Sequence, residues 1–447
     1  MNKKREHWSS KLGFIMAAAG SAIGLGNIWR FPYVVGDNGG AAFVFIYILI
    51  VAVIGYPMIV TEITMGRESQ KNAIGTFKKL APNTPWWIVG ALGVLAGFVI
   101  LSFYSVVAGW SLTYLFKSVS GTLGEGTNFA KVFTSHITSS YSPLIWHGIF
   151  MLLTLGIISA GVVKGIDRTT KVLMPIFFIM LLVLAVRSLT LPGAYAGVEF
   201  YLNPNFSKLT ARSVLCALGQ VFCTLSLGMG CIITYGSYLS KKDNVVTSGA
   251  WVVGLDLAVA LIAGLVIFPA VFAFGFDPAA GSGLAFITLP AVFAKMPGGT
   301  IFASIFFFLL FVAAITSAIS LLEVVVAWLV DEYNWNRKKA ALLMGFIIFL
   351  IGIPASLSLG AKNINFAGMS FFNFLDFFQE SILLPLGGIL TAIFAGYVWT
   401  AKRTRELANK NTKKLKLGRW FEIVLKYVIP LAVATVMVMG LIDRFKN

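Results

Sequence analysis

The sequence predicts an all-α integral membrane protein: a five-helix unit repeated upside down, with its first and sixth spans broken, plus an eleventh span. Three observations carry this. Charged residues are 12% of the 447-residue chain and hydrophobic residues 58%, against roughly 25% charged in soluble domains. Apolar runs of about 18 residues or more recur along it. Lys and Arg gather on alternate loops, and a Gly-X-Gly interrupts two runs at matching depth. So few charges cannot build a water-soluble surface, which excludes a soluble enzyme and a disordered chain. Strands of an outer-membrane barrel would alternate polar and apolar residues, and these runs do not. The net charge of +17 then reads as basic loops on one membrane face rather than a nucleic-acid surface.

Taken in order, residues 1–11 form a charged N-terminal tail with Lys3, Lys4, Arg5 and Lys11. The first span, 12–35, is too long and too Gly-rich for a cleaved signal peptide. Spans at 41–65 and 86–116 flank Arg67, Lys71, Lys78 and Lys79. Spans at 143–162 and 172–190 flank Lys164, Arg168 and Lys171 and complete the first repeat, 12–190. The second repeat, 212–399, holds spans at 212–238, 247–275, 298–330, 338–357 and 370–399. A basic stretch then leads into the eleventh span, 418–442. With the N-terminus inside, 25 of the 35 Lys and Arg lie inside, nine outside, and Arg30 within the first span. That bias puts the N-terminus in the cytoplasm of a multi-pass cell-membrane protein, and the odd span count puts the C-terminus outside. Cys216, Cys223 and Cys231 all fall on the sixth span, so no structural disulfide is implied.

The first span carries Gly24-Leu25-Gly26 and the sixth Gly228-Met229-Gly230, each beside small or hydroxyl-bearing residues. Glycine destabilises a helix by about 1 kcal/mol relative to Ala, so paired glycines favour unwinding. Unwound backbone is tolerated in a membrane only where it lines a cavity or binds something. The breaks lie five spans apart, and an odd offset inverts the second copy. Matched breaks in inverted halves point to a secondary transporter with a midplane site. Packing through small residues is the bland alternative for either segment. No strand precedes these glycines and no Lys-Ser/Thr follows them, which excludes a nucleotide loop. Half-helix N-termini favour a carboxylate, and free carbonyls favour a small cation. Asn27, Thr224, Thr316 and Ser317 are hard oxygen ligands for such a cation.

At these residues the sequence resembles the neurotransmitter:sodium symporter family. The likeness runs through Ser21 to Pro32, Asn38-Gly39-Gly40, Glu62 with Met65-Gly66-Arg67, Gly219 to Tyr235, Phe286 to Pro290 and Thr316-Ser317. Eleven spans and short tails look like its bacterial amino-acid transporter branch. The resemblance implies sodium-coupled uptake by alternating access, with two sodium sites. The first would use Ala22, Asn27, Thr224 and the substrate carboxylate. The second would use Gly20, Ile23, Ala313, Thr316 and Ser317. The substrate would meet Ser21, Ala22, Leu25, Gly26, Ile100, Tyr104, Thr224, Ser226, Met229, Ser317 and Leu321. Arg30 with Asp376 resembles the external gate, and Arg5, Trp8, Tyr238 and Asp331 the internal one. Gly165 and Pro175 resemble a motif that lets the fifth span unwind.

Three departures sharpen the expectation. Position 24 is Gly, where amine transporters of the family carry an Asp for the substrate amine, so an amino acid with its own carboxylate fits better. Cys223 stands where a gating Phe is common. Asp256 stands at the Asn position of the chloride shell that Tyr47, Gln220 and Thr224 partly match, while Ala260 stands where other chloride-independent members carry an acid. An intramembrane carboxylate is costly and functional by default, so Asp256 is expected to supply the negative charge at the first sodium site without chloride. Met229, Ile100 and Leu321 suit a neutral substrate with a hydrophobic or aromatic side chain. The partners expected are a small amino acid and membrane lipid, not nucleic acid. An amino-acid-binding receptor on the same fold, with little flux, is the alternative. His7, His136 and His147 show no metal-ligand spacing, and no nucleophile–base pair marks an intramembrane enzyme.

Overall fold

The computed structural model describes residues 6–279, 281–412 and 415–446. Among them nine helices are long and apolar enough to cross a membrane: Ala41–Ser69, Trp87–Val119, Ser142–Ser159, Val162–Leu189, Val245–Ala273, Gly299–Tyr333, Arg337–Leu357, Phe371–Val398 and Trp420–Ile442. These are spans two to five and seven to eleven. The first span is Lys11–Ala22 followed by Gly26–Asp37, bent by 49° at the break. The sixth is Ala211–Thr224 and Cys231–Gly236, separated by Leu225–Gly230. Short helices at Phe129–Ile137 and Leu284–Lys295 and a two-residue hairpin, Asn365–Phe366 with Met369–Ser370, sit in the connections. The fold is therefore all-α, with the broken first and sixth spans and the added eleventh.

The eighth span is the central post. In its most apolar stretch 83% of residues are buried, against 22% in the eleventh, which presents an apolar face to its surroundings. The third, first and fifth spans pack around the eighth. The fifth span differs from its sequence limits of 172–190: the helix begins at Val162. Lys164, Asp167, Arg168 and Lys171 look like loop residues in the sequence. Instead Lys164 and Arg168 point outward from the helix, and buried Asp167 accepts from Ser9 Oγ at 2.5 Å and Lys171 Nζ at 3.1 Å.

Both breaks are real departures from helix. Ile23 is extended, with φ −75° and ψ 98°. In the sixth span Ser226, Gly228 and Gly230 have φ of +54°, +76° and +74°. Glycine is required at 228 on two counts. The left-handed backbone disfavours a side chain, and a Cβ there would lie 2.7 Å from the Gly388 amide nitrogen of span ten. The amide freed at Gly228 donates to Glu62 Oε1 at 2.9 Å. Glu62 is thus a cap for unwound backbone, as its place opposite the break suggests.

Candidate functional site

The breaks face each other across a cavity of about 160 Å³. All eleven residues expected to meet substrate line it: Ser21, Ala22, Leu25 and Gly26 from the first break, Thr224, Ser226 and Met229 from the sixth, Ile100 and Tyr104 from span three, and Ser317 and Leu321 from span eight. Trp29, Phe103, Val107, Cys223 and Phe372 extend the lining. Arg30, Tyr33, Asp376, Gln379 and Glu380 add a second polar group to the lining. The Leu25 amide donates to the Tyr104 hydroxyl at 3.4 Å. Ser226 Oγ donates to the Ser21 carbonyl at 2.9 Å, and Ser21 Oγ to Ser320 Oγ at 2.7 Å. Ile100, Met229 and Leu321 are apolar. Gly24 keeps the centre open, since a Cβ there would lie 2.6 Å from Ser317 Oγ and 3.2 Å from the Tyr104 hydroxyl.

Beside this cavity lies a buried oxygen cluster. Asn27 Nδ2 donates to Asp256 Oδ1 at 2.8 Å, and Thr224 Oγ1 lies 2.9 Å from Asn27 Oδ1 and 3.2 Å from Asp256 Oδ1. Asp256, Tyr47 and Gln220 are all buried. Gln220 Nε2 donates to the Gly26 carbonyl at 2.8 Å. Asp256 Oδ2, Gln220 Oε1 and the Tyr47 hydroxyl have no hydrogen-bond partner among the described residues. Buried polar atoms are rarely left so, and hard oxygens beside a carboxylate suit a small hard cation. Ala22 lines the wall of the neighbouring cavity.

A second cluster joins the first break to span eight. Ser317 Oγ lies 3.4 Å from the Gly20 carbonyl, 3.2 Å from that of Ser21 and 3.5 Å from that of Ile23. Thr316 Oγ1 lies 3.1 Å from the Ala313 carbonyl. Gly20, Ile23, Ala313, Thr316 and Ser317 are therefore neighbours, although they come from segments nearly 300 residues apart.

At the N-terminal end of the first span, Trp8 is inserted between Tyr235 and Tyr238, with ring centroids 5.2 and 6.0 Å away. Its indole donates to the Tyr235 carbonyl at 3.0 Å and its amide to that of Tyr238 at 3.2 Å. The Tyr238 hydroxyl donates to Glu323 Oε1 at 2.6 Å, and Glu323 is ion-paired with Arg337. Asp331 Oδ2 accepts from the Asn72 amide at 2.8 Å. Arg5, expected in this gate, lies outside the described residues. Glu6 accepts from the Val162 amide at 2.6 Å, so the tail also caps the start of span five.

At the opposite end the arrangement differs from expectation. Arg30 is ion-paired with Glu380, not with Asp376. Asp376 Oδ1 instead accepts from Gln379 at 3.4 Å. The two acids stand one turn apart on span ten, and a π-helical turn begins at Gln379, which shifts the register there. Sequence reasoning left Glu380 without a role. Its spacing of four from Asp376 put both on one helix face and was the available signal.

The profile described as the Sodium:neurotransmitter symporter family matches residues 5–143 and 135–446. The chain is 44% identical over 439 residues to the uncharacterized sodium-dependent transporter YhdH of Bacillus subtilis, covering 97% of each. It is 27% identical to the human sodium- and chloride-dependent GABA transporter 2, over 90% of this chain and 74% of that one. The crystal structure of MhsT in complex with L-phenylalanine superposes with a TM-score of 0.91 at 45% identity, covering 98% of this chain and 100% of that one.

Proposed function

The chain belongs to the sodium:neurotransmitter symporter family, and from that premise we propose that it imports neutral L-amino acids with hydrophobic or aromatic side chains, driven by sodium and independent of chloride. The observation that carries the substrate class is the shape of the cavity. Its lining offers the Leu25 backbone and the Tyr104 hydroxyl to a carboxylate, and Ile100, Met229 and Leu321 give it apolar walls. Gly24 offers no acid to a bare amine. MhsT, of similar sequence throughout, has been solved with L-phenylalanine.

In this reading sodium is co-transported cargo at two places. Ala22, Asn27, Thr224 and Asp256, with the substrate carboxylate, hold one ion. Gly20, Ile23, Ala313, Thr316 and Ser317 hold the other and tie the first break to span eight. Each ion bridges segments that separate when the site opens, so ion and substrate stabilise the closed form together. Asp256 supplies the fixed negative charge that an anion would otherwise bring. Residues 12–190 and 212–399 form the inverted repeats, with the N-terminus cytoplasmic, the C-terminus outside and the protein in the cell membrane. Alternating access then rocks one half against the other around this site.

Uptake of radiolabelled L-phenylalanine, L-leucine and L-tyrosine into proteoliposomes tests the reading. Inward sodium gluconate gradients should drive accumulation that collapses when the gradient is dissipated. Saturable sodium-dependent binding without accumulation would identify a receptor instead, and failure of all three to bind would overturn the substrate class.

A further inference from the structure

A second cavity of about 900 Å³ lies on the Arg30 side of the pocket. Four residues line both cavities: Arg30, Tyr33, Cys223 and Glu380. They are the wall between the two. The ion pair in that wall is Arg30 with Glu380. Asp376 lines the inner cavity but not the larger one, and sits one turn nearer the outer start of span ten than Glu380. Cys223, the smallest of the four side chains, gives the wall little bulk. Tyr33 adds an aromatic ring, and the contact in the wall that joins the first span to the tenth is the Arg30 guanidinium on the Glu380 carboxylate.

We propose that Glu380 is the positioning residue that closes the outer wall of the substrate pocket, by holding Arg30 across the opening to the larger cavity. Three features support it besides the contact. The π-helical turn Gln379–Leu383 begins at this point of span ten and rotates Glu380 relative to Asp376. Gln379 donates to Asp376 and so engages the competing carboxylate. Arg30 and Glu380 come from the first and tenth spans, so the pair bridges two elements that must part for a solute to pass. The proposal deepens the transport reading and rests on it for the identity of the solute behind the wall.

The native cysteines report on the wall. Cys223 stands in it, Cys216 lines only the larger cavity, and Cys231 is fully buried. The full-length protein in proteoliposomes is labelled with a water-soluble cationic thiosulfonate, and each site is followed by mass spectrometry. This is done in sodium gluconate, with and without L-phenylalanine. Glu380→Gln should accelerate Cys223 labelling roughly fivefold, the scale of a partly exposed ion pair. Glu380→Asp should give a smaller gain, and Asp376→Asn should stay near wild type. Cys216 labelling should not rise in any of the three, which controls for folding and for access to the larger cavity. Removing a carboxylate lowers the local concentration of a cationic reagent, so acceleration would not come from charge. Acceleration by Asp376→Asn alone, equal acceleration by both, or no change in Glu380→Gln would overturn the proposal. Should wild-type labelling ignore both sodium and L-phenylalanine, the transport reading would fail, while the ranking of the variants would still decide the role of Glu380.

Discussion

The Asn27 side-chain amide donates to Asp256 Oδ1 at 2.8 Å, joining residues 229 apart in the chain. The first break and the seventh span are thereby held by one carboxylate in the middle of the bundle. Its other oxygen has no hydrogen-bond partner among the described residues. Such a group is retained in a membrane for its charge. Asp256→Asn keeps the shape and removes the charge. Sodium-driven uptake by the variant should fall at least about tenfold in gluconate and recover in part when chloride is supplied. Unchanged chloride-free uptake would show that the charge is not used.

Ser317 Oγ lies within 3.5 Å of three carbonyls of the first span, and Thr316 stands beside it. If these atoms ligate sodium, each hydroxyl contributes on the order of 1–2 kcal/mol. Ser317→Ala or Thr316→Ala should then raise the sodium concentration for half-maximal uptake by about tenfold. Uptake assayed over a sodium titration checks this. A change in amino-acid affinity with an unmoved sodium curve would place these hydroxyls elsewhere in the mechanism.

Space at Gly24 is more restrictive than its sequence context suggests. Gly24→Ala would put a methyl 2.6 Å from Ser317 Oγ, and overpacking of this kind costs about 1–3 kcal/mol. Sodium-dependent amino-acid binding should weaken roughly tenfold or more. Gly156→Ala is the control, because a Cβ there meets nothing within 4 Å. Equal behaviour of the two variants in a binding titration would remove Gly24 from the specificity argument.

The spans were legible because twenty apolar residues leave few alternatives in a membrane. The breaks were legible because glycine pairs are helix-unfavourable wherever they occur. Ser317 could be placed against Gly20 only through the family resemblance, since no local pattern links segments so far apart. The start of span five is not legible because charge reads as loop, whereas Asp167 is satisfied inside the fold by Ser9 and Lys171. The Arg30–Glu380 contact is not legible in the sequence for a subtler reason. Asp376 and Glu380 share a helix face, and a π-helical turn that no periodicity reveals selects between them. Glu62 meets the freed Gly228 amide because an acid facing unwound backbone has a donor waiting for it.

The connection between spans three and four carries a histidine whose titration can be followed. His136 is buried, with Nδ1 3.1 Å from Ser142 Oγ and Nε2 3.4 Å from Thr113 Oγ1. Burial, helped by nearby Lys117, pushes its imidazole down to about 4. An unfolded histidine titrates near 6.5. Between those values the unfolded chain binds a proton that the folded chain refuses, so stability rises with pH across that window. The contribution is complete above about pH 6.5 and is lost as pH falls toward 4. The apparent Tm of the purified protein, scanned at a fixed rate between about pH 7.5 and 4.5, should decline accordingly. His136→Gln keeps an uncharged hydrogen-bonding side chain that does not titrate. It should lower Tm modestly at neutral pH and flatten the decline in acid. A variant whose Tm falls with acid as steeply as wild type would show that His136 is not the group responsible.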